Sequence, residues 1–321
     1  MSRAAMWTFG PDLSSSPEPK LGQWFVDLEE DAVSEDSRHI MVGLDGSPES
    51  GRALAWAGAR TEVFGPVRPV AAWQYPWWAI TPPAFGVPVP PPDADLHAAK
   101  QRLIDEVIEQ QAPGIDRLET LTIHGSAGPA LVEAAEGTSL LVVGTRGRGV
   151  VASAVLGSVS LHCVHHATVP VAVIPPDAEI DSPFGRVVVG VDGSKSSIAA
   201  LQWVLENTSE LTRVEAVHVW DLGATALAEV EQLAVEHLES MALDLVAEAV
   251  MLARGQAGQP EREVETMALR GDPRLLLRAA SADADMLVVG AQGHQGVAHL
   301  LLGSVATALV HHPVVPTVVV R

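Results

Sequence analysis

The sequence predicts an α/β protein made of two tandem domains, each a five-stranded parallel sheet flanked by helices on both faces. Three observations predict it. Gly144-Thr-Arg-Gly147, nine residues, then Gly157-Ser158 returns as Gly290-Ala-Gln-Gly293, nine residues, then Gly303-Ser304, at an offset of 146 residues. Each half opens alike, Ile40-Met-Val-Gly43-Leu-Asp45-Gly-Ser47 and Val187-Val-Val-Gly190-Val-Asp192-Gly-Ser194, at an offset of 147. Between these landmarks, short β-branched runs alternate with helical patterns, the order of βα units in a parallel sheet. Two landmarks per half at near-constant offset imply a duplicated domain.

Residues 1–37 stand outside the repeat. They are polar and acidic, with Glu29-Glu-Asp31 and Glu35-Asp36. Such a stretch reads as a flexible extension. The alternative is a docking segment that uses Trp24, Phe25, Val26 and Leu28, with Trp7 and Phe9 adding to it. Domain one spans 38–177, a Pro-rich polar linker 178–183, and domain two 184–321.

Domain two is the cleaner copy. Residues 187–191 form a continuous β-branched run, as in a strand buried on both faces. A helix over 194–207 puts Ile198, Leu201, Val204 and Leu205 on one face. Residues 214–220 read as the next strand and 227–254 as a long helix rich in Ala, Glu and Leu. Residues 263–270 are a strand, and 273–280 a helix with Pro273 in its first turn. A strand over 286–289 leads into the Gly loop, a helix follows over 303–311, and a strand over 317–320 ends the chain. Right-handed crossovers follow from the usual chirality rule.

Domain one matches piece by piece. Trp56 falls where Trp203 does, and Trp73 where Trp220 does. The exception is 74–92, whose proline density forbids a helix or a central strand. Leaving the end of the second strand, it reads as a lid, an interaction surface or a cover for its own domain's core.

Composition narrows the function classes. The net charge of −20 and pI near 4.9 argue against nucleic-acid binding and against anionic membranes. The single cysteine, Cys163, excludes an internal disulfide and fits a reducing cytoplasm. No apolar run is long enough to span a bilayer, and no signal peptide opens the chain.

Ligands of an open parallel sheet bind beyond the carboxyl ends of the strands, near the switch point of the strand order. Three features converge there in each half: an acidic residue after the first strand (Asp45, Asp192), a small or apolar residue at the end of the second, and the Gly loop after the fourth. A carboxylate accepts hydrogen bonds from ribose hydroxyls or a base amino group. Gly144 and Gly290 let the backbone turn and approach a ligand. Gly157-Ser158 and Gly303-Ser304 place helix N–H groups near a phosphate. Together these features describe a nucleoside-phosphate pocket.

These residues resemble the universal stress protein family, whose ATP-binding signature is G-x2-G-x9-G-[S/T] after an apolar strand, with V-G-x-D-G-S at the first strand. The resemblance covers about residues 38–321 and matches the tandem form common in actinobacteria. It implies a Rossmann-like (adenine nucleotide α hydrolase-like) fold in each half, ATP in each pocket, and magnesium held through the ATP rather than by protein ligands. By the resemblance, Gly43, Asp45, Ala72, Val143 and Gly144 line the nucleoside in domain one, and Gly147, Gly157, Ser158 and Val159 wrap the phosphates. In domain two the nucleoside set is Gly190, Asp192, Val219, Val289 and Gly290, and the phosphate set Gly293, Gly303, Ser304 and Val305. It also implies that the terminal strands pair the two domains as an intramolecular pseudo-dimer. A homodimer of whole chains stays open.

The halves differ. Loop one carries Arg146 and Arg148 where loop two has Gln292 and His294. Strand two ends Ala71-Ala72 in one and His218-Val219 in the other, where the family has His-Val. Neither loop is followed by Gly-Lys-Ser/Thr, so a fast ATPase lacks its phosphate-binding lysine, and no catalytic base is evident. The leading reading is an ATP-binding stress or regulatory protein read by a signalling partner. The alternatives are a slow ATPase dependent on magnesium and Ser158 or Ser304, and a scaffold that binds no nucleotide. The histidines at 162, 165, 166, 311 and 312 lie at helix ends, where the dipole favours them without any metal.

Overall fold

The computed structural model describes residues 38–74, 93–147, 156–180, 184–221, 232–293 and 302–321. The expectations for residues 1–37, for most of 74–92, and for Arg148 and His294 lie outside them. The first repeat runs β1 (Ile40–Gly43), α1 (Pro48–Gly58), α2 (Thr61–Phe64), β2 (Val67–Trp73), α3 (Asp93–Gln111), β3 (Leu121–His124), α4 (Ala127–Ala134), β4 (Leu140–Gly144), α5 (Ser158–His166) and β5 (Val171–Ile174). The second runs β6 (Arg186–Gly190), α6 (Lys195–Glu206), β7 (Arg213–Trp220), α7 (Gln232–Ala257), β8 (Glu265–Arg270), α8 (Pro273–Ala280), β9 (Met286–Gly290), α9 (Ser304–His311) and β10 (Thr317–Val320). The long helix is described from Gln232 and ends at Ala257 rather than Arg254. Other boundaries in the second repeat lie within two residues of the predicted ones.

Among the described residues the strands form one sheet in the order β3-β2-β1-β4-β5-β10-β9-β6-β7-β8. Every pairing within a repeat is parallel. The join is antiparallel, β5 to β10, with Thr317 opposite Val173 and Val319 opposite Val171. Each repeat thus places its own switch point between its first and fourth strands. The terminal strands meet across the repeats as the resemblance implied. That pairing removes two sheet edges that would otherwise offer unpaired backbone groups.

Strand alternation builds a core on each face. Ile40 and Val42 face α1 and α3, while Met41 faces α4 and α5. In the second repeat Val187 and Val189 face one way and Val188 the other. Both cores contain residues of both repeats. On the first face, Phe64 stacks on Trp203 at 5.5 Å and 12°, and Phe184 meets the edge of Phe64 at 6.4 Å. Trp56 and Trp203 are core residues. Helix α7 buries Val246, Ala249, Val250 and Ala253, the i, i+3, i+4, i+7 stripe of a surface helix.

The residues between the repeats are tied down. Ala178 is buried and its carbonyl accepts from Arg52 Nε and Nη2, at 3.0 and 2.6 Å. The carbonyl of Ile180 accepts from Arg60, whose guanidinium lies 4.2 Å over Trp56 and 4.8 Å over Phe184. Polar composition marked a linker, but two arginines of the first repeat hold its start against the body. Among the described residues no helix is long and apolar enough to cross a membrane.

Candidate functional site

The acidic residue of each site is fixed by its own turn. The Ser47 N–H donates to Asp45 Oδ1 at 2.9 Å, and the Ser194 N–H to Asp192 Oδ1 at 3.0 Å. The same serines then cap the next helix: Ser47 Oγ accepts from the Ser50 N–H, and Ser194 Oγ from the Ser197 N–H. One short polar segment therefore ends a strand, aims a carboxylate and starts a helix. The other oxygen, Oδ2, lies against the second loop glycine: a Cβ on Gly147 would strike Asp45 Oδ2, and one on Gly293 would reach Asp192 Oδ2 at 2.7 Å.

The first loop glycine is required by packing. A Cβ on Gly144 would sit 2.9 Å from the backbone of Glu49 at the start of α1. On Gly290 it would sit 2.6 Å from the Ser196 backbone. These glycines let the fourth strand pass under the first helix.

The third glycine caps the last helix of each repeat. Gly157 and Gly303 have φ −71° and ψ near 155°, and neither helix receives a side-chain cap. Their own N–H groups donate back to Thr145 and Ala291, each at 2.7 Å. In the first repeat Ser160 Oγ also donates to the Gly144 carbonyl at 2.6 Å, locking the α5 start onto the end of β4. The first-turn N–H groups of α5 and α9 face the loop with no side chain capping them, the arrangement that favours an anion.

In the first repeat these parts enclose a cavity with about 730 Å³ of empty space, counting its open mouth. Gly43, Asp45, Ala72, Val143, Gly144, Gly147, Gly157, Ser158 and Val159 all line it. Sequence reasoning overlooked Val70 on β2 and Ala127 and Leu131 on α4, which form the apolar wall. Leu131 and Leu277 are repeat equivalents, and each lies over the first-strand glycine, Gly43 or Gly190. Apolar walls with a few convergent polar groups are the make-up of a small-molecule site.

In the second repeat, Gly190, Asp192, Gly290, Gly293 and Gly303 stand in the same mutual relations. Val219, Val289 and Val305 join one apolar cluster, and Ser304 is the first residue of α9. His218 is set apart from that wall: its Nδ1 donates to the Val191 carbonyl at 2.7 Å, tying β7 to the end of β6. Its counterpart Ala71 is buried.

Cys163 is buried, and burial pushes its thiol up to about 12. His166 Nδ1 lies 2.9 Å from the His162 carbonyl and the two rings stack at 4.1 Å. Among the described residues no group of His, Cys, Asp or Glu could hold a metal. Asp285, where the first repeat has Ser139, accepts the Arg186 N–H at 2.7 Å and so ties the turn before β9 to the start of β6.

The fold and site define a class: tandem α/β repeats, each with a glycine-rich pocket at its switch point. The family model described as "Universal stress protein family" matches residues 37–175 and again 183–321. Universal stress protein Rv2005c of Mycobacterium tuberculosis (strain ATCC 25618 / H37Rv) is 31% identical over 294 residues, covering 88% of this chain and 96% of its own. Universal stress protein Rv1996 of the same strain is 30% identical over 317 residues, covering 88% and 94%. A universal stress protein from Archaeoglobus fulgidus DSM 4304 shares the fold at a TM-score of 0.60 and 21% identity, over 89% of this chain and 99% of that one. This chain belongs to the universal stress protein family.

Proposed function

We propose that the chain binds ATP, one molecule per repeat, and acts as a nucleotide-dependent regulatory protein without fast catalysis. One observation carries this reading: a cavity that joins a turn-fixed carboxylate, Asp45, to glycines backing onto an α5 N-terminus with no side-chain cap. Asp45 and Asp192 would accept ribose hydroxyls. Val70, Ala72, Leu131 and Val143 would hold the base by apolar contact. The N–H groups at the start of α5 and α9, with Ser158 and Ser304, would take the phosphates. ATP would bring the magnesium and the charge that a partner reads. Its binding would favour whichever conformation or assembly closes these contacts, and only that difference in affinity shifts the population. Neither loop carries the lysine of a phosphate-transfer site, which supports a binding role over rapid turnover.

The test is the nucleotide content of the purified full chain. After denaturation, ion-pair chromatography of the supernatant is expected to show retained ATP approaching two per chain, or to do so after incubation with excess magnesium-ATP. No adenine nucleotide under either condition would overturn the reading.

A further inference from the structure

The two pockets share their glycines and carboxylates but differ in charge at three equivalent places. In the phosphate loop, Arg146 lines the first cavity, and the second repeat has Gln292. Arg146 Nε is shut off from solvent with no hydrogen-bond partner among the described residues. Other arginines share that trait, but Arg146 alone among them lines this cavity. A half-buried guanidinium whose Nε–H lacks an acceptor, set beside a cavity, gains a charge-assisted hydrogen bond from an anionic ligand.

At Gln292 the equivalent backbone is already engaged. Its carbonyl accepts from the hydroxyls of Ser194 and Ser196, and its N–H donates to Ser196 Oγ at 3.2 Å. Glu49 occupies the Ser196 position in the first repeat, so no hydroxyl is there to make this clamp.

The third difference is the helix after the third strand. Ser126 gives α4 no side-chain cap, and Ala127 lines the first cavity. Asp272 caps α8 through the Arg274 N–H at 2.8 Å. The Arg274 guanidinium and that N–H hold Asp272 down to about 2, so it is a carboxylate at any physiological pH. Its charge is largely met by Arg274, 2.6 Å away.

From these differences we infer that the sites are tuned to different phosphate charge: Arg146 makes the first selective for the di- and triphosphate over the monophosphate, and the second discriminates far less. The inference rests on the nucleotide reading above. Arg146 acts by touching the terminal phosphates, while the Ser196 clamp keeps the second loop's geometry independent of how many phosphates enter.

The experiment is titration calorimetry of the full chain with ATP, ADP and AMP, one site at a time. Gly303→Glu leaves the first site and Gly157→Glu the second. Both positions have an ordinary φ, and an added Cβ meets its neighbours no closer than 3.4 Å, so either variant should fold. The ratio of ATP to AMP affinity is expected to be about tenfold larger at the first site than at the second. Arg146→Gln should bring it down to the second site's value while AMP affinity stays put, and Gln292→Arg should raise the ratio at the second. ATP binding with equal ratios at both sites, or a ratio unmoved by Arg146→Gln, would overturn this inference alone. Absence of ATP binding to the unmodified chain would overturn the functional reading and this inference with it.

Discussion

The first and second repeats share a fold and a loop pattern, yet they stabilise equivalent positions by different chemistry. At the base of the sheet, the second repeat buries Glu215, 1% exposed, between Arg186 at 2.7 Å and Arg213 at 3.0 Å. Arg213 continues to Glu265 at 2.7 Å. The equivalent of Glu215 in the first repeat is Arg68, whose Nε has no partner among the described residues. The lesson is that duplication preserved the backbone relations of the site and left the charges free to diverge.

Breaking the charged strand pair should show the largest effect. Glu215→Ala leaves two guanidinium groups without their shared carboxylate; removing one partner of a buried pair costs about 3–5 kcal/mol, and the partial exposure of Arg186 and Arg213 places this case at the low end. Urea denaturation reads it directly. Arg68→Ala in the first repeat should cost far less, because among the described residues it removes no ion pair.

The loop glycines sharpen the comparison. Gly290→Ala drives a Cβ into the Ser196 and Ser197 backbone at 2.6 and 2.7 Å, whereas Gly144→Ala meets the Glu49 backbone at 2.9 Å. Overpacking of this kind costs roughly 1–3 kcal/mol, and the second-repeat variant should lie nearer the top of that range. Thermal melts of the two variants check the order; equal melting temperatures would contradict the packing difference.

A smaller effect should come from the seam. Arg321, the last residue, donates to the carbonyls of Val164 and His165, in the last turn of α5. The second repeat therefore caps a helix of the first. Arg321→Ala should cost about 1 kcal/mol in urea denaturation, the scale of one net hydrogen bond. The neighbouring histidines add a pH dependence. Burial, then the charge of His166, lowers His162. Burial lowers His165 too, followed by His166, Arg321, His311 and His162. A lowered folded value means the unfolded chain takes up protons first. Stability from this cluster is therefore full above about pH 6.5 and is lost as pH falls through the lowered values. His165→Asn should flatten that decline. Glu215, held low chiefly by the hydrogen bond from Arg186, adds a separate loss on acidification below the usual carboxylate range.

Much of this was legible in the sequence. The fourth and ninth strands are continuous apolar runs because the sheet buries them on both faces, so the runs at 140–143 and 286–289 stood out. The site glycines were legible because steric demands for glycine recur at fixed spacing. What escaped were contacts between segments distant in sequence. The burial of Glu215 depends on arginines from its own and the adjoining strand. Ala178 read as part of a polar linker, and its burial depends on Arg52, 126 residues earlier. The apolar wall at Val70 and Leu131 carries no special residue type, so only the assembled switch point picks it out.

Native mass spectrometry of the full chain with magnesium-ATP counts the nucleotide pockets, one per repeat. Two ATP are expected on the unmodified protein and one on each of Gly157→Glu and Gly303→Glu. Two ATP retained by either variant, or none bound by the unmodified chain, would contradict that count.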